Sequence, residues 1–134
     1  MKIKIFILSI IIALCSISNL SSESLCNFIN DYDDLYNTKD YRKAISGDKN
    51  LYRANLTEAT LFNLQLDKVD LREARLVRTN LKLSSLREAN ISGADLSGAY
   101  FYQADLFKAI VNRKWFDYLR NQNVKNFYSI IWVN

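Results

Sequence analysis

Between positions 51 and 111 every fifth residue is apolar: Leu51, Leu56, Leu61, Leu66, Leu71, Leu76, Leu81, Leu86, Ile91, Leu96, Phe101, Leu106 and Val111. A spacing of five fits neither the turn of a helix nor the two-residue alternation of a strand. It describes a chain that turns a corner once per unit and stacks on itself. With the apolar residue called i, position i−2 is small in most units: Ala54, Ala59, Ala74, Thr79, Ser84, Ala89, Ala94, Ala99, Ala104 and Ala109. Position i−1 is mostly polar, as at Asn50, Asn55, Asp70, Asn80, Asn90, Asp95 and Asp105. In, out, in is strand alternation held for three residues. The other two positions, i+1 and i+2, are left to make the corner, and Gly93 and Gly98 at i+2 suit a turn that needs positive φ. Larger residues fill that slot elsewhere, so not every corner is a strict glycine turn. Leu64 and Val69 are large for the small slot, and Lys49 places the first unit with the N-terminal flank.

A bare end of such a stack is an unpaired strand edge, so both flanks are expected to act as caps. Leu25, Phe28, Ile29, Tyr32, Leu35 and Tyr36 share one face at helical spacing, with Ser24 as N-cap. A second short helix is expected over residues 39–45, closed by Gly47. After the repeat, Trp115, Phe116, Tyr118 and Leu119 suggest another helix. Phe127, Tyr128, Ile130, Ile131, Trp132 and Val133 form an apolar tail whose pattern does not separate helix from strand.

The N-terminus reads as an export signal. Lys2 and Lys4 precede a mostly apolar run over residues 5–17, and Ser18, Asn19, Ser21 and Ser22 follow. The run is shorter than the roughly 20 apolar residues of a membrane span. Cleavage after Ser18 gives an exported protein, periplasmic or extracellular; an uncleaved anchor is one alternative, and cleavage before Cys15, giving a membrane-anchored lipoprotein, is another. In either cleaved form Cys26 lacks an internal disulfide partner and reads as a small buried apolar residue. The chain then divides into a signal peptide (1–18), an N-terminal helical cap (19–48), the repeat (49–113) and a C-terminal cap (114–134).

Units such as Ala54-Asn55-Leu56-Thr57-Glu58, Ala89-Asn90-Ile91-Ser92-Gly93, Ala94-Asp95-Leu96-Ser97-Gly98 and Ala104-Asp105-Leu106-Phe107-Lys108 resemble the A(D/N)LXX units of the pentapeptide repeat family. The resemblance covers about half of the chain. It implies an all-β solenoid, a right-handed quadrilateral β-helix with four units per coil, here with short α-helical flanking caps. Residues twenty apart then stack on one side. Charges of opposite sign meet at Arg53 over Glu73, Glu58 over Arg78, Asp67 over Arg87, Lys68 over Glu88 below Lys108, and Arg75 over Asp95. Such exposed pairs support the stack modestly.

The best-known members of that family bind DNA gyrase by imitating the acidic surface of a DNA duplex, which makes an intracellular or delivered protein that binds a topoisomerase or a host protein the alternative function. This surface is neither long nor acidic. The formal net charge is +4, and without the first eighteen residues 16 basic residues stand against 14 acidic ones. No concentrated basic stripe marks a nucleic-acid site. The chain has no histidine, no cysteine pair at metal spacing and no phosphate-binding glycine loop. Asp31, Asp33 and Asp34 fail as a calcium loop, since Tyr36 and Arg42 stand where glycine and glutamate are needed. No enzyme activity, cofactor, metal or small-molecule substrate is expected. A protein partner is expected, as is the possibility of a dimer through the terminal caps. The four-sided stack puts Phe62, Lys82 and Tyr102 in one outward column with Phe107 on the adjoining side, and aromatics beside a cation resemble a recognition patch. The alternative is that the terminal segments fold back over them.

Overall fold

The computed structural model describes residues 38–134. The expected signal, Cys15, Cys26, the helical face between Leu25 and Tyr36, and the acidic run at Asp31 lie outside the described residues. Helix α1 (Thr38–Ser46) opens the described part, and Gly47 follows it at φ +80°. Next comes a long stretch of corners, then strand β1 (Ile110–Asn112), a 3-10 turn (Arg113–Trp115), helix α2 (Phe116–Arg120), a second 3-10 turn (Phe127–Ser129) and strand β2 (Ile131–Val133).

Between α1 and β1 the chain pairs with itself through single-residue parallel bridges between residues twenty apart. Asn50, Asp70, Asn90 and Ile110 form the first side, and Asn55, Arg75 and Asp95 the second. Thr60, Asn80 and Tyr100 form the third, and Gln65, Ser85 and Asp105 the fourth. A corner every five residues and a register of twenty make four sides per coil. All thirteen i side chains lie inside, none more than 1 % exposed. Each contributes roughly 1.5–3 kcal/mol of apolar burial. The i−2 residues fill the gaps between them. Where that slot is polar the hydroxyl bonds inward: Thr79 Oγ1 donates to the Leu56 carbonyl at 2.7 Å and Ser84 Oγ to the Leu81 carbonyl at 2.6 Å.

The second coil shows how a five-residue unit satisfies its peptide N–H groups. Leu71 N–H reaches the Asn90 carbonyl of the next coil, and Glu73 N–H the Ser92 carbonyl; Ala74 N–H closes the corner on Leu71 and Arg75 N–H reaches back to Ala54. The i+1 N–H is left over, and an Asn or Asp at i−1 takes it. Asp70 Oδ1 accepts from Arg72 N–H at 3.1 Å, and Asn50, Asn55, Asn80, Asn90, Asp95 and Asp105 act alike on the residue two ahead. This is an Asx turn repeated along the stack, and it explains the Asn and Asp recurrence. A Ser or Thr at i+1 adds its hydroxyl to the same oxygen, as at Asn55 with Thr57, Asn90 with Ser92 and Asp95 with Ser97.

Corners without glycine keep the left-handed backbone of a glycine corner. Arg53, Glu58, Asn63, Lys68, Glu73, Arg78, Leu83, Glu88, Gln103 and Lys108 hold φ between +54° and +60°. Each such residue costs about 1–2 kcal/mol. The cost is met because the same residue's N–H bonds to the next coil, as Arg53 does to Arg72 and Leu83 to Tyr102. At the small slot, Val69 is accommodated at 1 % exposure with a corner bond stretched to 3.3 Å. Leu64 is only half-buried, and its N–H makes no corner bond to Leu61.

Where the ladder runs out, side chains replace it. At the N-terminal end Asp40 Oδ2 accepts from Asn55 N–H and Asp48 Oδ1 from Asn50 N–H, both at 2.9 Å, while Ala44 of α1 is buried on the first coil. At the other end α2 crosses the second side and cannot continue a β ladder. Trp115 Nε1 donates to the Ala94 carbonyl at 3.2 Å and Tyr118 Oη to the Ala99 carbonyl at 2.7 Å. The Gln122 amide donates to Ala99 at 2.9 Å and accepts from Phe101 N–H at 2.6 Å. The ladder then resumes with Lys125 beside Asp105, and the tail ends as β2, parallel to β1 with Ile131 opposite Ile110. Phe116, Phe127 and Trp132 close this end with ring centroids 5.1–5.7 Å apart.

Adjacent leucines with opposite environments give a direct test of the stack. Leu61→Ala is expected to lower stability by about 2–5 kcal/mol through the cavity it leaves. Leu64→Ala restores the small slot and its corner bond, and is expected to change stability by less than about 0.5 kcal/mol; paired denaturant titrations measure both.

Candidate functional site

Three of the four outer sides are occupied by their own charges. On the first, Arg53 Nε meets Glu73 Oε2 and Arg72 Nη2 meets Asp70 Oδ2, each at 2.7 Å. The Tyr52 hydroxyl donates to Glu73 Oε1 at 3.2 Å, and both guanidiniums lie against its ring. On the second, Arg78 pairs with Glu58 at 3.3 Å. On the fourth, Lys68 approaches Glu88 at 3.9 Å and Arg87 meets Asp105 at 2.9 Å.

Of the expected charge ladders, those of Arg53, Glu58 and Lys68 close across one coil. Asp67 and Arg87 do not pair by side chain: the Asp67 carboxylate takes the Ser85 hydroxyl and the Arg87 N–H, and the Arg87 guanidinium turns to Asp105. Arg75 and Asp95 likewise make no ion pair, because the Asp95 carboxylate is held by the Ser97 hydroxyl and N–H. Lys108 lies over the Phe107 ring rather than meeting Glu88.

The third side differs. Its outward residues are Thr60, Phe62, Asn63, Asn80, Lys82, Leu83, Tyr100, Tyr102 and Gln103, with no carboxylate among them. Phe62, Leu83, Tyr100 and Tyr102 are 48, 45, 50 and 54 % exposed. The bonds from Asn63 N–H to the Lys82 carbonyl and from Leu83 N–H to the Tyr102 carbonyl hold the three rungs in register. Phe62, Lys82 and Tyr102 therefore share one column. The Lys82 ammonium leans over the Tyr100 ring, 5.1 Å from its centroid. Phe107 sits on the fourth side with Arg87 at 4.5 Å and Lys108 at 5.3 Å from its ring, so two cations already hold it.

Leu83 and Tyr100 were not singled out from the sequence, although a signal was present. Tyr100 is an aromatic residue in the slot that elsewhere holds Asn or Asp, and Leu83 is an aliphatic residue at a left-handed corner. The described residues hold no cluster of three or more groups suited to a metal ion. A depression of about 400 Å³ on α1 is lined by Lys39, Arg42, Lys43 and Ser46, whose hydroxyl donates to the Lys43 carbonyl. No helix among the described residues is long and apolar enough to cross a membrane.

Four carboxyls sit below their ordinary range. Hydrogen bonds from Arg72 to Asp70, from Arg53 to Glu73 and from Ser97 to Asp95 are the leading causes. At Asp105 burial pushes upward, and the bonds from Asn126, Phe107 N–H and Arg87 together outweigh it. Groups lowered by folding stabilise the protein above their unfolded pKa, and that contribution is lost as pH falls through the folded values. Melting temperature is therefore expected to stay level near neutrality and to drop once pH falls below about 4. Asp105→Asn is expected to flatten that drop in thermal melts over a pH series.

A family profile described as pentapeptide repeats (8 copies) matches residues 50–87, 65–103 and 84–113. No curated protein matches the sequence. Among solved structures, a pentapeptide repeat protein of Nostoc aligns at TM-score 0.53 and 24 % identity, covering 71 % of this chain and 93 % of that one. A pentapeptide repeat protein of the Arabidopsis thaliana thylakoid lumen aligns at TM-score 0.37 and 25 % identity over 55 % of each chain. The pentapeptide repeat protein Rfr23 of the cyanobacterium Cyanothece aligns at 0.33 and 29 %, over 63 % of this chain and 60 % of that one. The Nostoc protein supports the fold, which in these proteins is a right-handed quadrilateral β-helix. On the repeat units across residues 50–113 and the coil they build, that region of the chain is a pentapeptide repeat domain.

Proposed function

We propose that this chain is a non-catalytic interaction module, exported from the cell that makes it, which docks another protein through its third side. The observation that carries the reading is the contrast between sides. Three carry ion pairs among their own charges, and one presents four large, roughly half-exposed apolar or aromatic side chains with no acid and no ion pair. Contiguous apolar surface flanked by polar groups is a usual mark of a protein-binding site. The family is generally non-catalytic, which favours binding over chemistry.

Export is supported by the charged, apolar, polar order of the first 22 residues. It directs the search for a partner to a bacterial envelope or the extracellular space, with attachment through a lipidated Cys15 as the variant form. The topoisomerase alternative asks for an acidic, duplex-like exterior. Here Asp70 and Glu73 on the first side, Glu58 on the second and Glu88 and Asp105 on the fourth meet Arg or Lys, and the third side has no acid.

Two measurements test this reading. If Phe62 and Tyr102 serve recognition, replacing both with Ser is expected to change stability by less than about 1 kcal/mol. A loss of several kcal/mol in a denaturant titration would make them structural. The intact mass of protein from fractionated cells is expected to lack about eighteen N-terminal residues, outside the cytoplasm. A full-length soluble mass in the cytoplasm would reopen intracellular targets.

A further inference from the structure

We propose that the third side receives an amphipathic helix of another protein whose apolar stripe carries a carboxylate at its centre, and that Lys82 is the group that receives that carboxylate. This rests on the docking reading above and adds the chemistry of the partner. Lys82 is half-buried on a strip formed by Phe62, Leu83, Tyr100 and Tyr102, and it makes no ion pair there. With the strip open to water the ammonium stays solvated at its tip while its stem lies on apolar surface. Covering the strip removes that water. A wholly apolar partner would leave a buried, unpaired charge, which is costly, whereas a partner with a carboxylate at that point turns the cost into a pair. No acid on this side of the solenoid can take the role, since none of its outward residues is Asp or Glu.

The spacing matches a helix. Successive rungs of a parallel stack lie about 4.8 Å apart, so Phe62 and Tyr102, two rungs apart, are about 10 Å apart along the axis. Residues seven apart on an α-helix are about 10.5 Å apart along its axis. A helix lying along the solenoid thus sets apolar residues i and i+7 on Phe62 and Tyr102, and residue i+3 or i+4 over Lys82. Leu83 and Tyr100 flank the track on either side of Lys82, one at the corner and the other on the far side of the rung.

Two helical peptides test this, identical in an i, i+7 leucine stripe and differing only in Glu or Lys at the central position. Each is titrated into isotope-labelled protein recovered from expression of the full chain. The Glu peptide is expected to shift the amide signals around Phe62, Lys82, Leu83 and Tyr102, and to bind at least about ten-fold tighter than the Lys peptide, because the Lys peptide leaves the covered Lys82 charge unpaired. Lys82→Gln is expected to abolish the preference and Lys82→Glu to reverse it, with circular dichroism confirming the fold of each. The Phe62→Ser, Tyr102→Ser double variant is expected to weaken both peptides about ten-fold. Equal binding of both peptides at this side, unchanged by Lys82→Glu, overturns the carboxylate and leaves the docking face standing. Shifts confined to other sides, or none, overturn the helical occupant and count against the docking face as well. Concentration-dependent self-association abolished by the double variant would assign the face to a second copy and overturn the proposal.

Discussion

The hydrogen-bond requirement of the peptide N–H is the constraint on which the rest of this structure depends. In a solenoid of single-residue bridges no strand is long enough to satisfy its backbone by simple pairing. A five-residue unit such as that of Leu71 therefore distributes its donors among the next coil, the previous coil, its own corner and, where Asn or Asp stands at i−1, an Asx side chain. An unpaired buried donor costs on the order of 1–3 kcal/mol, comparable to the burial of an aliphatic side chain. That balance explains why ten residues other than glycine tolerate left-handed corners. Relaxing one such corner would release about 1–2 kcal/mol of backbone strain and forfeit a bond to the next coil.

The same requirement shapes the ends. A terminal coil has donors and acceptors with no further coil to meet them, and in both directions they are met by side chains from a helix or its flank. Asp40 and Asp48 supply acceptors where the first coil has spare N–H groups. Trp115, Tyr118 and the Gln122 amide supply donors where the last coil has spare carbonyls, and Gln122 also returns an acceptor to Phe101. A helix cannot extend a parallel ladder, but side chains reaching from it can stand in for one. The pairing resumed by Lys125 and β2 makes the C-terminal flank a fourth, irregular coil as well as a lid.

With the interior assigned to packing and the backbone to pairing, function is left to the outward i−1, i+1 and i+2 positions. On three sides these spend their charge on one another: the Asp70 and Glu73 carboxyls are lowered chiefly by arginines a rung or less away, and Asp105 by the Asn126 amide, the Phe107 N–H and Arg87 together. The third side has apolar groups that a solvent-facing position does not need for the fold. A rigid stack fixes the spacing of those groups, which suits recognition of a regular object such as a helix better than a flexible loop would.

Much of this was legible in the sequence because a five-residue period has one physical meaning at every repeat. The interior leucines, the small slot, the twenty-residue register and the column of Phe62, Lys82 and Tyr102 follow from counting, since each unit repeats one local geometry. The placement of Phe107 on the neighbouring side was equally a matter of counting. What counting could not supply was the direction of long side chains. Arg87 stands over Asp67 in register yet pairs with Asp105, and Phe107 is taken up by Arg87 and Lys108, because a guanidinium or an ammonium on a flexible stem samples several partners within one rung. The apolar tail was ambiguous for a related reason. Its residues carry no period of their own, and only the free edge at Ile110 and the aromatic surface of Phe116 decide that it becomes a 3-10 turn and a strand. Local pattern thus determined the coil, and tertiary contact decided what its surface and its ends do, because interior positions have one environment to choose from and exterior ones have several.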